Sequence, residues 1–140
     1  MNLPETISLL HRKMNMELNA RLMKYGLSNA KSRLLEYICN NRGITQVELC
    51  KELELDKSTV AKILARMESS GLIIKKINPD DVRSFLVFPT SKGIELFPRT
   101  REAFLGWTED VISDMTKAEK ELFYKLIGKV TQQAVKICNK

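Results

Sequence analysis

The sequence predicts a mainly α-helical fold that carries one small β-hairpin. Three observations point to it: apolar residues recur every three or four positions near both ends of the chain, two Thr-x-x-Glu motifs mark helix starts, and a Pro-Asp turn separates two β-rich runs. The chain has 140 residues, of which 44% are hydrophobic and 29% charged. This composition and the absence of a linker in the sequence predict a single globular domain, 1–140.

The first two helices are defined by an apolar stripe and two boundary residues. The first helix is expected to end near Gly26, since a residue without Cβ readily takes the left-handed conformation. Ser28 is placed to cap a second helix, which stops before Gly43. The stripe of the first helix comprises Ile7, Leu10, Met14, Leu18 and Leu22.

A short helix and a longer one follow. Thr45 and Glu48 form a capping box at the start of the short third helix. Asp56 caps a fourth helix that runs to about Ser70, and Gly71 closes it. The expected inner face of the third helix comprises Val47, Leu49, Cys50 and Leu53.

The remaining chain predicts a hairpin and two more helices. Strands over 72–77 and 84–88 flank an Asn-Pro-Asp-Asp turn, and the second strand is expected to end before Pro89, which has no amide to donate. A fifth helix begins at Thr90 or Ser91, with Pro98 kinking or interrupting it. Thr116 opens the last helix with a second capping box.

This order of elements predicts a winged helix-turn-helix over residues 28–90. The helices at 1–25 and 91–138 lie outside that unit and carry long apolar faces without a partner inside it. Such faces favour a homodimer held by the terminal helices, and a monomeric helical bundle is the alternative.

The exposed face of the fourth helix is the candidate reading surface for DNA. Small residues would let the helix approach a major groove, where hydroxyls and a lysine can hydrogen-bond base edges. An ordinary solvated face would more typically alternate acidic and basic residues. Opposite the apolar residues Val60, Ile63, Leu64 and Met67, this face presents Ser58, Lys62, Ala65 and Ser69, flanked by Thr59, Ala61 and Arg66.

The predicted hairpin carries a second basic feature. Arg83 lies beside the tip, and Asp81 is placed to hold its guanidinium in one direction. An arginine on a β tip suits the narrow minor groove, although an ordinary surface ion pair has the same pattern. The net charge of +6 is compatible with an anionic partner but does not establish one.

Five segments of the chain resemble the MarR-type family of regulators. They are the third-helix run Ile44-Thr-Gln-Val-Glu-Leu49, the turn Leu55-Asp-Lys-Ser-Thr-Val60, the run Met67-Glu-Ser-Ser-Gly-Leu-Ile73, the wing Asn78-Pro-Asp-Asp-Val-Arg83 and the following Thr90-Ser-Lys-Gly93. The resemblance implies a homodimeric transcriptional regulator, most often a repressor, on a pseudo-palindromic operator in double-stranded DNA. The residues that it implies for DNA contact are Thr45, Gln46, Lys57, Ser58, Thr59, Lys62, Asp81 and Arg83. Arg66, on the flank of the fourth-helix face, is a further candidate for DNA contact.

The resemblance also implies a small aromatic or phenolic effector between the dimerisation helices and the DNA-binding unit. The same residues are better explained as packing residues of the core and interface. The candidate lining comprises Leu10, His11, Met14, Tyr37, Phe104 and Trp107.

Other classes of function find little support in the sequence. The chain lacks phosphate-loop, dinucleotide-binding and nucleophile-elbow motifs, and its single histidine has no nucleophile partner, so neither an enzyme nor a cofactor or metal site is expected. A winged-helix protein-interaction module and a cysteine-based redox sensor are the alternatives that stay open. Cys39, Cys50 and Cys138 fit a reducing cytoplasm, and no membrane association is expected.

Overall fold

The computed structural model describes residues 1–139 and confirms the predicted mainly helical fold with a small β wing. A 3-10 turn over Met23–Tyr25 follows the first helix. The helices are α1 (Leu3–Leu22), α2 (Asn29–Asn40), α3 (Gln46–Leu53), α4 (Lys57–Ser69), α5 (Ser91–Val111) and α6 (Lys117–Cys138), and the strands are β1 (Ile44–Thr45), β2 (Ile73–Asn78) and β3 (Asp81–Pro89).

The predicted capping residues lie at the helix ends. The Ser28 hydroxyl accepts the Lys31 N–H at 3.2 Å, and capping boxes at Thr45 and Thr116 open α3 and α6. These bonds satisfy backbone donors that a helix start leaves without partners. Gly26 ends the turn after α1 with φ of 72°, a left-handed conformation that favours glycine.

The sheet has three antiparallel strands in the order β1-β3-β2. Sequence analysis missed β1, whose two residues pair with β3 through Ile44 and Val87. The expected end of β3 at Phe88 was wrong, because Pro89 pairs in register with Ile73. At the end of a strand, proline keeps extended backbone and its missing N–H removes no interior ladder bond.

Two local expectations are corrected. Val47 was assigned to the inner face of α3 but is 67% exposed, since it lies two residues, or 200°, from the fully buried Leu49. Pro98 does not interrupt α5, which continues from Ser91 to Val111. The Thr100 hydroxyl in the next turn donates to the Phe97 carbonyl at 2.8 Å.

The core lies under the helix-turn-helix and positions α4. The side chains of Leu34, Leu35 and Ile38 on α2 are completely buried, as are Leu64 and Met67 on α4. Truncation of such residues to alanine typically costs about 2–5 kcal/mol of folding free energy. One face of α4 is therefore fixed against the core, and the opposite face stays in solvent.

The described chain forms two compact units, Met1–Leu105 and the residues from Gly106 on. In the first unit, the stripe of α1 is buried at Leu18 and Leu22 but exposed at Ile7 and Leu10. Within the described residues, no helix is long and apolar enough to cross a membrane. The second unit exposes apolar side chains along α6, namely Leu122, Tyr124, Leu126, Ile127, Val130 and Ile137.

Candidate nucleic-acid interface

The two faces of α4 have the chemistry that the sequence predicted. Val60, Leu64 and Met67 are completely buried, and Ile63 is half-buried. The first acidic residue along the helix is Glu68, near its end. The exposed side chains are Lys57, Ser58, Lys62, Ala65, Arg66, Glu68 and Ser69, whereas Thr59 and Ala61 are half-buried.

Asp56 fixes the start of α4. Its Oδ1 accepts the Thr59 N–H at 2.6 Å and lies 3.4 Å from the Ser58 hydroxyl, which donates to it. Hydrogen bonds from the side chain and then the backbone of Thr59 hold the pKa of Asp56 below its ordinary value of 3.8. Ser58 and the charge of Lys62 lower the pKa further. Ser58 and Thr59 are thus tied to the cap as well as placed on the candidate surface.

Acid is expected to remove the contribution of this cap to stability. Because the pKa of Asp56 is lower in the folded than in the unfolded chain, its stabilisation is complete well above 3.8 and is lost as pH falls through the folded pKa. Asp56→Asn keeps a good N-cap but cannot titrate. We expect thermal melts to show a Tm advantage of the native chain at neutral pH that disappears in acid. A Tm difference that does not change with pH would contradict this.

The wing presents Arg83 to solvent in a fixed direction. Its side chain is 89% exposed, and its Nε donates to Asp81 Oδ1 at 3.3 Å. The same carboxylate oxygen accepts the Arg83 backbone N–H at 3.0 Å. Asn78 and Ser84 brace the tip through a side-chain hydrogen bond of 3.1 Å. The predicted Asp81–Arg83 arrangement is therefore present, with most of the guanidinium free for an anionic partner.

The wing also carries exposed apolar residues that sequence analysis missed. Ile77 and Phe85 pair across the hairpin and are 66% and 43% exposed, and Val82 at the tip is 77% exposed. The β-branched composition predicted strands here, but no local signal showed how far the hairpin extends beyond the core. Lys76 lies over the Phe88 ring, with its Nζ 5.0 Å from the centroid, which places this cation on the hairpin.

The remaining candidate DNA contacts lie at the starts of α3 and α4. Thr45 and Gln46 are half-buried, and the Thr45 hydroxyl accepts the Glu48 N–H at 3.1 Å. Lys57 is exposed at the first position of α4. The starts of α3 and α4 and the hairpin all belong to the first unit, Met1–Leu105.

The candidate effector residues lie on α1, α2 and α5. Leu10 and His11 are exposed on α1, and Met14 is half-buried on the same helix. Phe104 is half-buried in the first unit, and Trp107 belongs to the second. Tyr37 lines a groove of about 500 Å³, together with Asn41, Arg42, Gly43, Ile44, Glu48 and Glu52.

A polar network between α1 and α2 was also missed by sequence analysis. Asn29 donates its Nδ2–H to Asn15 Oδ1 at 2.6 Å, and its backbone N–H to Asn19 Oδ1 at 2.7 Å. Asn15 Nδ2 lies 3.4 Å from His11 Nε2. Asn29 is 4% exposed, so these bonds lie largely out of solvent. The network ties the start of α2 to α1, and residues this far apart in sequence give no local signal.

The three cysteines differ in their exposure to solvent. Cys39 and Cys50 are half-buried and Cys138 is exposed. Burial raises the pKa of Cys39, an effect that outweighs the opposite influence of Arg42. A raised pKa disfavours the thiolate that reacts with oxidants. Within residues 1–139, no three or more His, Cys, Asp or Glu side chains are grouped to hold a metal ion.

The first unit holds a capped short helix, a turn and a longer helix whose exposed face has no acidic residue until its end. A wing with a projecting arginine follows. Together these elements define a winged helix-turn-helix of the DNA-binding class. A model of the MarR family matches residues 25–84. The chain belongs to the MarR family of transcriptional regulators. Proteins of this family are regulators and not enzymes, which confirms the expectation of a non-enzymatic protein.

Individual relatives agree with this assignment. The chain is 32% identical over 106 residues to the HTH-type transcriptional regulator BilQ of Clostridioides difficile (strain CD3), with 75% of this chain and 72% of that protein covered. It is 26% identical over 100 residues to a protein assigned to regulation of the hcr operon in Thauera aromatica, covering 71% of this chain and 60% of that protein. A solved structure assigned to the MarR family, from Listeria monocytogenes in complex with 26-mer DNA, superposes with a TM-score of 0.85 at 27% identity, covering 95% of this chain and 89% of that one.

Proposed function

We propose that the protein is a homodimeric repressor that binds a pseudo-palindromic operator in double-stranded DNA. The exposed face of α4, with Lys62 between small residues, carries this proposal. In it, Ser58, Thr59 and Lys62 contact bases or nearby phosphates in the major groove. Thr45, Gln46, Lys57 and Arg66 contact the DNA backbone or its immediate surroundings. A dimer bound across a promoter blocks access to it, and such a regulator acts in the cytoplasm.

In this proposal the wing reads the flank of each half-site. Arg83 enters the minor groove, where the negative potential is enhanced, and Asp81 holds its direction. The exposure of the guanidinium and the Nε to Oδ1 distance of 3.3 Å support this role. The proposed domain organisation is a DNA-binding unit at 28–90 and dimerisation helices at 1–25 and 91–138.

Exposed apolar residues on the terminal helices support the dimer. Leu126 is 49% exposed in the middle of α6, with Leu122 and Val130 one turn away on either side. A second copy of the chain would remove this surface from water, at a gain of about 25 cal/mol per Å² of apolar area. The proposed partner of the terminal helices is therefore the same helices of another protomer.

Leu126→Glu is expected to raise the dimer dissociation constant by at least about thirtyfold, because it places a charge in an apolar interface. Sedimentation velocity over a concentration series measures this change. Gln132→Glu adds the same charge about 120° around the helix from position 126 and serves as the matched control. Equal dissociation constants for the two variants would contradict a dimer interface at Leu126.

Salt dependence separates this proposal from a protein-interaction module. Phosphate contacts release counterions, so the affinity for a fluorescent random-sequence duplex should fall steeply as salt rises. Fluorescence anisotropy measures the slope. A module that binds another protein through apolar contacts would show weak or no DNA binding at low salt, which would contradict the proposal.

Release by a small aromatic or phenolic effector completes the proposed mechanism. Its support is the set of aromatic and methionine side chains near α1 and α5, with His11 as a donor for a ligand carboxylate. Thermal melts in the presence of benzoate and phenol, followed by anisotropy with DNA, test it. Stabilisation together with weaker DNA binding is the expected result, and no change in either would contradict release by this ligand class.

A further inference from the structure

The end of α4 is fastened to the start of α5 by hydrogen bonds to three consecutive carbonyls. Lys92 Nζ donates to the Ser70 carbonyl at 2.9 Å. The Thr90 hydroxyl donates to the Gly71 carbonyl at 2.5 Å, and the Thr90 N–H donates to the Leu72 carbonyl at 3.0 Å. The carbonyls that follow the candidate recognition helix are thus held by one short segment of the chain.

Glycine at position 93 brings the two backbones into close approach. The Gly93 N–H donates to the Thr90 hydroxyl oxygen at 3.1 Å, so that hydroxyl both donates and accepts. A Cβ at Gly93 would lie 2.3 Å from the Leu72 carbonyl oxygen. Only a residue without a side chain fits there. We call Ser70–Leu72 and Thr90–Gly93 the α4–α5 joint.

The α4 side of the joint is itself closed. Gly71 has φ of 77°, and the Leu72 N–H donates to the Met67 carbonyl at 2.9 Å, which is the Schellman arrangement at a helix end. The Ser70 hydroxyl donates to the Arg66 carbonyl at 2.9 Å. The Lys92 charge also lies at the negative end of the helix dipole. Each backbone N–H and each carbonyl of Ser70–Leu72 therefore has a hydrogen-bond partner.

We propose that Thr90, Lys92 and Gly93 are positioning residues for DNA reading. They fix the orientation of α4 relative to the start of α5, and they do not contact DNA themselves. The inference rests on the proposed function, because in a homodimer the separation of two α4 helices depends on how each is fixed to its own α5. A firm joint makes the dimer selective for one spacing between half-sites, and a loosened joint tolerates other spacings.

The test compares two DNA duplexes for each variant. One duplex carries an inverted repeat obtained by selection from random DNA, and the other carries the same repeat with one base pair inserted at its centre. The insertion rotates one half-site by roughly 35° relative to the other. Fluorescence anisotropy gives the dissociation constant of each duplex. The measured quantity is the dissociation constant for the duplex with the insertion divided by that for the duplex without it. A general loss of stability or charge changes both constants alike and cancels from this ratio.

Lys92→Met and Thr90→Val are expected to lower this ratio by about threefold or more, because each removes one hydrogen bond of the joint. Lys92→Arg keeps a cationic donor and should retain most of the preference. Arg101→Met removes a cation from the same helix, nine residues on, and should leave the ratio unchanged. Lys92 is exposed, so its replacement leaves the core intact.

The outcomes separate the joint from the function on which it rests. An unchanged ratio in both Lys92→Met and Thr90→Val, with weaker binding to both duplexes, would show a merely structural role and overturn the positioning proposal alone. If the native protein binds both duplexes equally, the proposal that a dimer recognises two half-sites at a fixed spacing is wrong. The proposed role of the α4–α5 joint would then be wrong as well. Recovery of the ratio in Lys92→Arg supports the proposal.

Discussion

Arg83→Ala is expected to weaken operator binding by about ten- to a hundredfold while the protein stays folded and dimeric. The guanidinium projects from the wing with 89% of its side chain exposed, so its removal leaves no cavity. The lost contact is one between a fixed cation and the minor groove, where the negative potential of DNA is strongest. Asp81→Ala should cost less, since it frees the arginine without removing it.

Anisotropy with a selected operator measures the effect, and sedimentation confirms the dimer. Arg101→Ala serves as the control, since it removes an exposed cation from α5 and not from the wing. Its effect on affinity should be small and should vanish at higher salt, where long-range attraction is screened. Equal losses from Arg83→Ala and Arg101→Ala would remove the wing from the mechanism.

Gly93→Ala is expected to lower the free energy of unfolding by about 3 kcal/mol or more. The new Cβ would lie 2.3 Å from the Leu72 carbonyl oxygen and 3.3 Å from Leu35 Cδ1. That carbonyl is backbone and is held by the Thr90 N–H, so it cannot move aside without breaking the α4–α5 joint. Thermal melts should show a Tm lower by about 10 °C.

Gly128→Ala supplies the control with the opposite sign. Gly128 lies inside α6, and an added Cβ there has nothing within 4 Å. Alanine in a helix interior is favoured over glycine by about 1 kcal/mol, so this variant should melt at a higher temperature. If Gly93→Ala also raised the Tm, helix propensity would outweigh the close approach, and the proposed rigidity of the joint would be wrong.

Local rules account for the parts of the fold that the sequence predicted. The caps at Ser28, Thr45, Asp56 and Thr116 involve residues only three positions apart, so their hydrogen bonds can be predicted from spacing alone. The two faces of α4 follow from helical periodicity in the same way. The candidate DNA surface was predictable because it is the solvent side of one regular helix.

Contacts between distant residues account for most of what was missed. β1 has two residues and exists because Ile44 pairs with Val87, far along the chain. Asn29 meets Asn15 and Asn19 across two helices. The Thr90-Ser-Lys-Gly93 motif was visible, but its bonds to the carbonyls after α4 join residues about 20 positions apart. Neither hydrophobic period nor turn chemistry reports on such pairs.

Selection from a random double-stranded DNA library, followed by sequencing of the bound fraction, tests whether the protein is a sequence-specific dimeric regulator. We expect recovery of an inverted repeat whose half-sites lie about one helical turn, roughly 10 base pairs, apart. Lys62→Ala should change the bases selected within each half-site but not the spacing between them. Binding that is salt-sensitive but enriches no sequence would contradict a specific dimeric regulator while leaving the winged-helix fold in place.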